Sequence, residues 1–381
     1  MTFNRLLWLF YRVVKKLLKN LTGYHTPSGF RDVQVTCRLN QEKLNDFITK
    51  VRWYAPDTVN FYVRSKYTAD TPPNVFINKE TEADIFLISS KACIIKNLFR
   101  LHRSIVVDPD FYDTEECTSW SYLYGMAMDS TDVFRHISEE NFIRMTEELS
   151  HKESACCFLT GESFSKYREY PELRGMVKII CNSVVKNDEF MEYIRPDILV
   201  FADPVYHFSY NRYAVNFRRD VLKTVEKYGT YVAVPENMMP LMLAHYPALK
   251  NRLIGIGRNP EFNLPSHSDL TVKVTDNILT YLMLPLASAM CRDVYLLGAD
   301  GRSPNDSMFW KHNSSVQYDS LMQTVVDAHP SFFRDRNYVE YQNNHDNMTE
   351  NLFRFGEAQG RKYISLNRSY LASINSRYKG A

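Results

Sequence analysis

Several features are scarce or missing in this chain, and each absence closes off a class of protein. No stretch stays apolar for the ~20 residues that a bilayer-spanning helix requires; the most apolar one, near the start, is interrupted by Arg12. No clear small-residue cleavage site follows it, so neither a spanning anchor nor a secretory signal is expected. An excess of one charge is also missing. With 46 Lys and Arg against 44 Asp and Glu, the net charge of +2 argues against a nucleic-acid surface as the main function. Cysteines are few and odd in number, seven in all, without Cys-x-x-Cys spacing. They read as reduced intracellular thiols rather than a disulfide framework or a metal set, with Cys156-Cys157 serving as strand packing. No internal repeat or low-complexity tract is found.

What is present suits a substantial core: 381 residues, 45% apolar and 14% aromatic, enough for one large or two ordinary domains. In the second half, short apolar runs recur, each ending in a polar or small residue. Cys157-Phe158-Leu159-Thr160-Gly161-Glu162-Ser163-Phe164 reads as a strand, a tight turn and the start of a helix. Such a turn leaves backbone N–H groups converging on one point, with the positive end of the helix dipole behind them. A phosphate fits there. Residues 177–182 read as a second strand ending at Asn182, 196–204 as a third ending at Asp203 before Pro204, and 293–301 as the clearest, ending at Asp300. Residues 230–235 and 252–256 read as two more. In an open α/β sheet these ends form the ligand crevice, where Gly161, Asn182, Asp203 and Asp300 should converge. A helix should follow Thr275-Asp276-Asn277, capped by Thr275 or Asp276 and kinked at Pro285.

The expected fold is therefore α/β: a Rossmann-like, mostly parallel sheet with flanking helices over 153–381, with a lid around 301–345. A smaller α/β or α+β domain over 23–152 precedes it, with strands near 58–63, 84–88 and 104–108 and helices near 92–102 and 138–152. Ser138 is read there as an N-cap, with Asn141 in the capping-box position. Residues 1–22 stand apart. Arg5, Arg12, Lys15, Lys16 and Lys19 meet no acid and alternate with Leu, Val, Trp and Phe, which suits a helix lying on an anionic membrane surface or one docking on its own protein or a partner subunit.

The series Thr160-Gly161-Glu162-Ser163-Phe164, Cys181-Asn182, Asp203-Pro204, Thr275-Asp276-Asn277, Leu297-Gly298-Ala299-Asp300 and a late His345 resembles the core of the bacterial lipooligosaccharide sialyltransferases of glycosyltransferase family 42. It is similar also to the wider group of motility-associated-factor and archaeal pterin diphosphokinase-like proteins. The likeness covers roughly residues 155–372. It departs in the turn, which lacks one Gly and the Pro of the family's Gly-x-Gly-Pro-Ser, and after Asp300, where Arg302, Phe309, Trp310, Lys311, His312 and Tyr318 replace a pair of tyrosines. The resemblance implies a glycosyltransferase with a CMP-activated nonulosonic acid as donor, a glycan or glycolipid acceptor and no cofactor or metal, since the Asp-x-Asp metal motif is missing from the strand ends of 153–381. It implies donor contacts from Thr160, Gly161, Ser163, Asn182, Asp203, Thr275, Asp276, Asn277, Asp300 and Tyr318. Proton transfer falls to His345, placed in a polar loop before a helix at 348–359, with His312 as its rival and His329 a distant third; Arg302 and Lys311 would hold the leaving phosphate, with Tyr318 or Tyr338 as donors. Two alternatives are a Mg-dependent pyrophosphokinase, with Asp203 and Asp300 as metal ligands, and a non-catalytic envelope-assembly scaffold. A peripheral place on the inner membrane face is expected; a homo-oligomer is left open.

Overall fold

The computed structural model describes residues 3–25, 27–112, 116–303, 306 and 312–380. It resolves into two compact units. The first contains Met1–Thr131, Pro204–Asn211 and Gln323–Arg336, and the second Asp132–Asp203, Arg212–Met322 and Asn337–Ala381. The boundary expected at residue 152 thus falls at 131, and two short pieces of the later chain belong to the first unit.

The first unit is built on five parallel strands, β1 (Asp32–Leu39), β2 (Asn60–Ser65), β3 (Val75–Ile77), β4 (Ile85–Ile88) and β5 (Ser104–Val106), in the order β3-β2-β1-β4-β5. Val33 lies between Phe61 and Ile85 in register, and all three are buried. The helix Gln41–Tyr54 follows β1; Asn40 caps it by accepting from the Lys43 amide at 2.9 Å, and Leu44, Phe47, Ile48, Val51 and Tyr54 form its buried stripe. The expected helix at 92–102 is tighter than α, a 3₁₀ segment at Lys91–Cys93 followed by another at Ile95–Arg103.

The helix Phe3–Thr22 docks within this unit. Leu7, Trp8, Tyr11, Val14 and Leu18 pack on Ile88, Ile94, Leu101, Val106 and Phe111. Lys15 donates to the Ser104 carbonyl at 2.6 Å, and burial lowers its pKa to about 8. Among the described residues, no helix is long and apolar enough to cross a membrane.

The second unit holds eight parallel strands: β6 (Ser154–Phe158), β7 (Val177–Cys181), β8 (Ile198–Val200), β9 (Tyr231–Pro235), β10 (Leu253–Asn259), β11 (Thr271–Lys273), β12 (Asp293–Leu297) and β13 (Lys362–Ser365). Their order is β11-β10-β9-β8-β7-β6-β12-β13. The chain builds outward from β6 to β11, then returns to pair β12 on the other side of β6. Strand order therefore reverses between β6 and β12, the place where doubly wound sheets hold ligands. The return passes through a helix buried on every side from Leu279 to Ala287. Pro285, expected to kink it, lies at the start of its α-helical part, directly after the π-helical turn Leu279–Met283, where a missing N–H is tolerated.

Two sequence expectations fail here for one reason. Ser138 and Asn141 lie inside the helix Asp132–Leu149 rather than at its start. Their side chains satisfy a buried neighbour: Ser138 Oγ accepts from the Gly255 amide at 2.9 Å, and Asn141 Nδ2 donates to the Lys250 and Leu253 carbonyls at 2.8 Å each. Phe142, Met145 and Leu149 join the second unit's core, which is why this helix belongs there. The reduced-thiol reading also needs correcting, because Cys37 and Cys93 are bridged, while Cys117, Cys156, Cys157, Cys181 and Cys291 are buried and free.

Candidate active site

The turn after β6 forms, but its anion position is already filled from within the chain. A 3₁₀ segment, Glu162–Glu169, follows Gly161 in place of the expected α-helix. Asp300 accepts the Ser163 amide at 2.8 Å on Oδ2, and on Oδ1 it accepts the Ser163 hydroxyl and, at 2.9 Å, Asn367 Nδ2. Asn367 in turn accepts the Gly298 amide at 3.0 Å. The carboxylate therefore occupies the place where a phosphate was expected. Gly161 is required by this closeness, since a Cβ there would lie 2.6 Å from both Asp300 Oδ2 and the Gly298 carbonyl. Gly161, Ser163 and Asp300 thus stitch the switch point together, and Asn367, which the sequence reading missed, completes the set. Its position two residues beyond β13 follows the same rule of a polar residue after a strand that singled out the others.

Asn182, directly after β7, differs from its neighbours in two ways. Its backbone sits at φ 48°, the left-handed region that non-glycine residues enter only when held there. Its side-chain Oδ1 is buried, with no hydrogen-bond partner among the described residues. A buried polar atom without a partner costs about 1–3 kcal/mol. Beside it lies buried Ser183, and the pKa of the Tyr213 phenol is raised by burial and by the nearby Asp203 and Asp319 carboxylates.

Residues 313–318 form an arch tied to these strand ends. The Asn313 amide donates to the Thr160 carbonyl at 2.7 Å, Asn187 Nδ2 to Ser315 Oγ at 3.0 Å, and Lys186 Nζ to the Gln317 carbonyl at 2.5 Å. Gln317 Oε1 accepts the Tyr213 hydroxyl at 2.8 Å. Tyr318, expected to touch the donor, donates to Asp220 at 2.5 Å, and burial together with this bond raises its pKa. His312 joins the arch next to Asn313, and burial lowers its pKa to about 3, which keeps the ring neutral. Arg302 donates to the Asp306 carbonyl. Lys311, Phe309 and Trp310 lie outside the described residues.

The other candidates lie elsewhere. His345 lies in the helix Tyr338–Glu357, not in a loop before it. Its Nδ1 is 3.4 Å from Thr349 Oγ1, burial lowers its pKa to about 4 against the opposing pull of Asp346, and Asp346 itself accepts the Ala372 and Ser373 amides. Thr275, Asp276 and Asn277 follow β11, with β10, β9 and β8 between that strand and β7. Asn277 caps the Leu279 amide at 2.9 Å, where Thr275 or Asp276 was expected to, and the Asp276 carbonyl accepts Tyr341, one turn before His345, at 2.5 Å. His329 belongs to the first unit, with its ring against Phe332. The structure thus ties Thr160 to the arch through Asn313, the residue after His312, sets Asp203 near the Tyr213 phenol that the arch engages, and joins Asp276 and His345 through a separate helix.

Among the described residues, no group of three or more His, Cys, Asp or Glu side chains is placed to share a metal ion. A cavity of about 480 Å³ lies wholly in the first unit, lined by residues including Lys19, Tyr24, His25 and Tyr122. Comparison with protein-family models, curated proteins and solved structures returns no match for this chain.

Proposed function

We propose that the second unit is a metal-independent glycosyltransferase domain that binds a CMP-activated nonulosonic acid under the 313–318 arch and passes the sugar to a glycan or glycolipid at the inner membrane surface. The observation that carries this reading is Asn182: a strained residue with an unpaired buried oxygen, at a strand end beside the switch point, is a donor-recognition group waiting for a hydroxyl or amine. His312 is the proton acceptor in this reading. Its neighbour Asn313 is tied to the Thr160 turn, whereas His345 is tied to a helix near a structural cap.

The pyrophosphokinase alternative needs Asp300 as a metal ligand. Both of its oxygens already accept donors from Ser163 and Asn367, which counts against it. The scaffold alternative draws support from the same contact, because a carboxylate in the anion turn repels phosphate from that spot. Melting the full chain with CMP, CDP, UDP, GDP and ATP separates the three. CMP should raise the melting temperature by several degrees, equally in EDTA and in Mg²⁺, since ligand at about a hundredfold over its Kd stabilises by about 2.7 kcal/mol. A response to ATP that needs Mg²⁺ would favour the kinase, and no response to any nucleotide the scaffold.

A further inference from the structure

The helix Phe3–Thr22 is apolar on two faces, and its docking uses only one. Leu7, Trp8, Tyr11 and Leu18 face the protein. Phe3, Leu6, Phe10, Val13, Leu17 and Leu21 recur at three- and four-residue spacing on another stripe and are exposed, Phe3 by 78% and Leu21 by 81%. The segment Ile95–Arg103 repeats the pattern. Its Leu98 and Leu101 pack in the same cluster as the helix, while Ile95 and Phe99 are 66% and 84% exposed. Neither segment contains an acid. Arg5, Arg12, Lys16, Lys96 and Arg100 are exposed cations of the two.

We propose that these two segments form one composite surface that lies flat on an anionic lipid bilayer, with Phe99 and Ile95 entering the headgroup layer beside the outward stripe of the first helix. This rests on the membrane-surface part of the reading above and is independent of which sugar is transferred. Exposed apolar residues set among cations, with no acid in either segment, match a surface that offers both hydrocarbon and negative charge. A second copy of the chain would match the apolar stripe but set like charges against each other. The helix stays docked when bound: Trp8 faces the protein, and the outward residues alone meet lipid.

The test is sedimentation of the full chain with vesicles of phosphatidylcholine, alone or with a minor share of phosphatidylglycerol. Wild type should pellet only with the anionic vesicles. Ile95→Ser with Phe99→Ser, and separately Leu6→Ser with Phe10→Ser, should each weaken partitioning roughly tenfold or more while leaving the melting curve unchanged, because all four side chains are exposed. Trp8→Phe should bind like wild type. If the Ile95/Phe99 pair binds like wild type while the Leu6/Phe10 pair does not, the composite surface is wrong and the helix alone adsorbs. Failure of the wild type to bind would overturn the membrane reading itself. A lipid-free, concentration-dependent dimer abolished by both pairs would make the occupant a second copy, also overturning the proposal.

Discussion

At Asn182 two costs meet in one side chain: a left-handed backbone at φ 48° and a buried oxygen without a partner. Glycine relieves the first cost and removes the second, so Asn182→Gly should hold or raise the melting temperature, by up to about 1 kcal/mol of stability, while abolishing the CMP response. An unchanged CMP response in that variant would remove Asn182 from the site. The histidines separate by a similar contrast. His312→Ala should lower turnover by roughly 10²- to 10⁴-fold with little change in CMP affinity, the usual worth of positioned proton transfer. His345 instead has a pH signature in folding. Its folded pKa of about 4 lies below the ordinary 6.5, so between these values the unfolded chain binds more protons. The stability contributed by the neutral, half-buried His345 ring is complete above pH 6.5 and lost as pH falls towards 4. Subtracting the stability curve of His345→Gln from that of wild type should give a difference that is flat above pH 6.5 and drops by about 3 kcal/mol on acidification. A flat difference throughout would show that the ring is solvated.

Elements owe their placement to contacts that a local reading overlooks. The polar pair Ser138 and Asn141 resembles a helix start because Ser and Asn favour caps, yet the same hydrogen-bonding capacity serves equally well across a packed interface. Asn141→Ala leaves the buried Leu253 carbonyl, and the Lys250 carbonyl beside it, without this donor and should cost about 1–3 kcal/mol, read as a lower urea midpoint at constant slope. A loss below a few tenths would mean that water replaces the amide. The helix Phe3–Thr22 is equally dependent on its surroundings. Removing it uncovers Ile88, Ile94, Leu101, Val106 and Phe111, so a chain lacking residues 1–22 should aggregate or melt earlier rather than simply leave the membrane. A truncated chain with the full-length melting temperature would show that the helix only rests on the surface.

Across the whole molecule, the sequence shows the class of fold and where along the chain most strands of the second unit lie. Parallel strands buried on both faces are mostly apolar, and β6 to β9 announce themselves as such runs. It also determined which polar residues stand at the strand ends, because the end of an apolar run is a local property, and it marked the first helix as cationic and apolar. It missed β1, β3, β11 and β13, of which β3, β11 and β13 are only three or four residues long. What each polar group does was decided by tertiary structure alone. Ser163 and Asp300 are 137 residues apart, and nothing near Gly161 announces that a carboxylate will return to fill its anion turn. The inclusion of Pro204–Asn211 and Gln323–Arg336 in the first unit, and of His345 in a helix, was fixed in the same way. Periodicity and burial act over a few neighbouring residues and can be read from them; a hydrogen-bond partner is chosen by whatever the folded chain brings within about 3 Å, and that choice is written in no single segment.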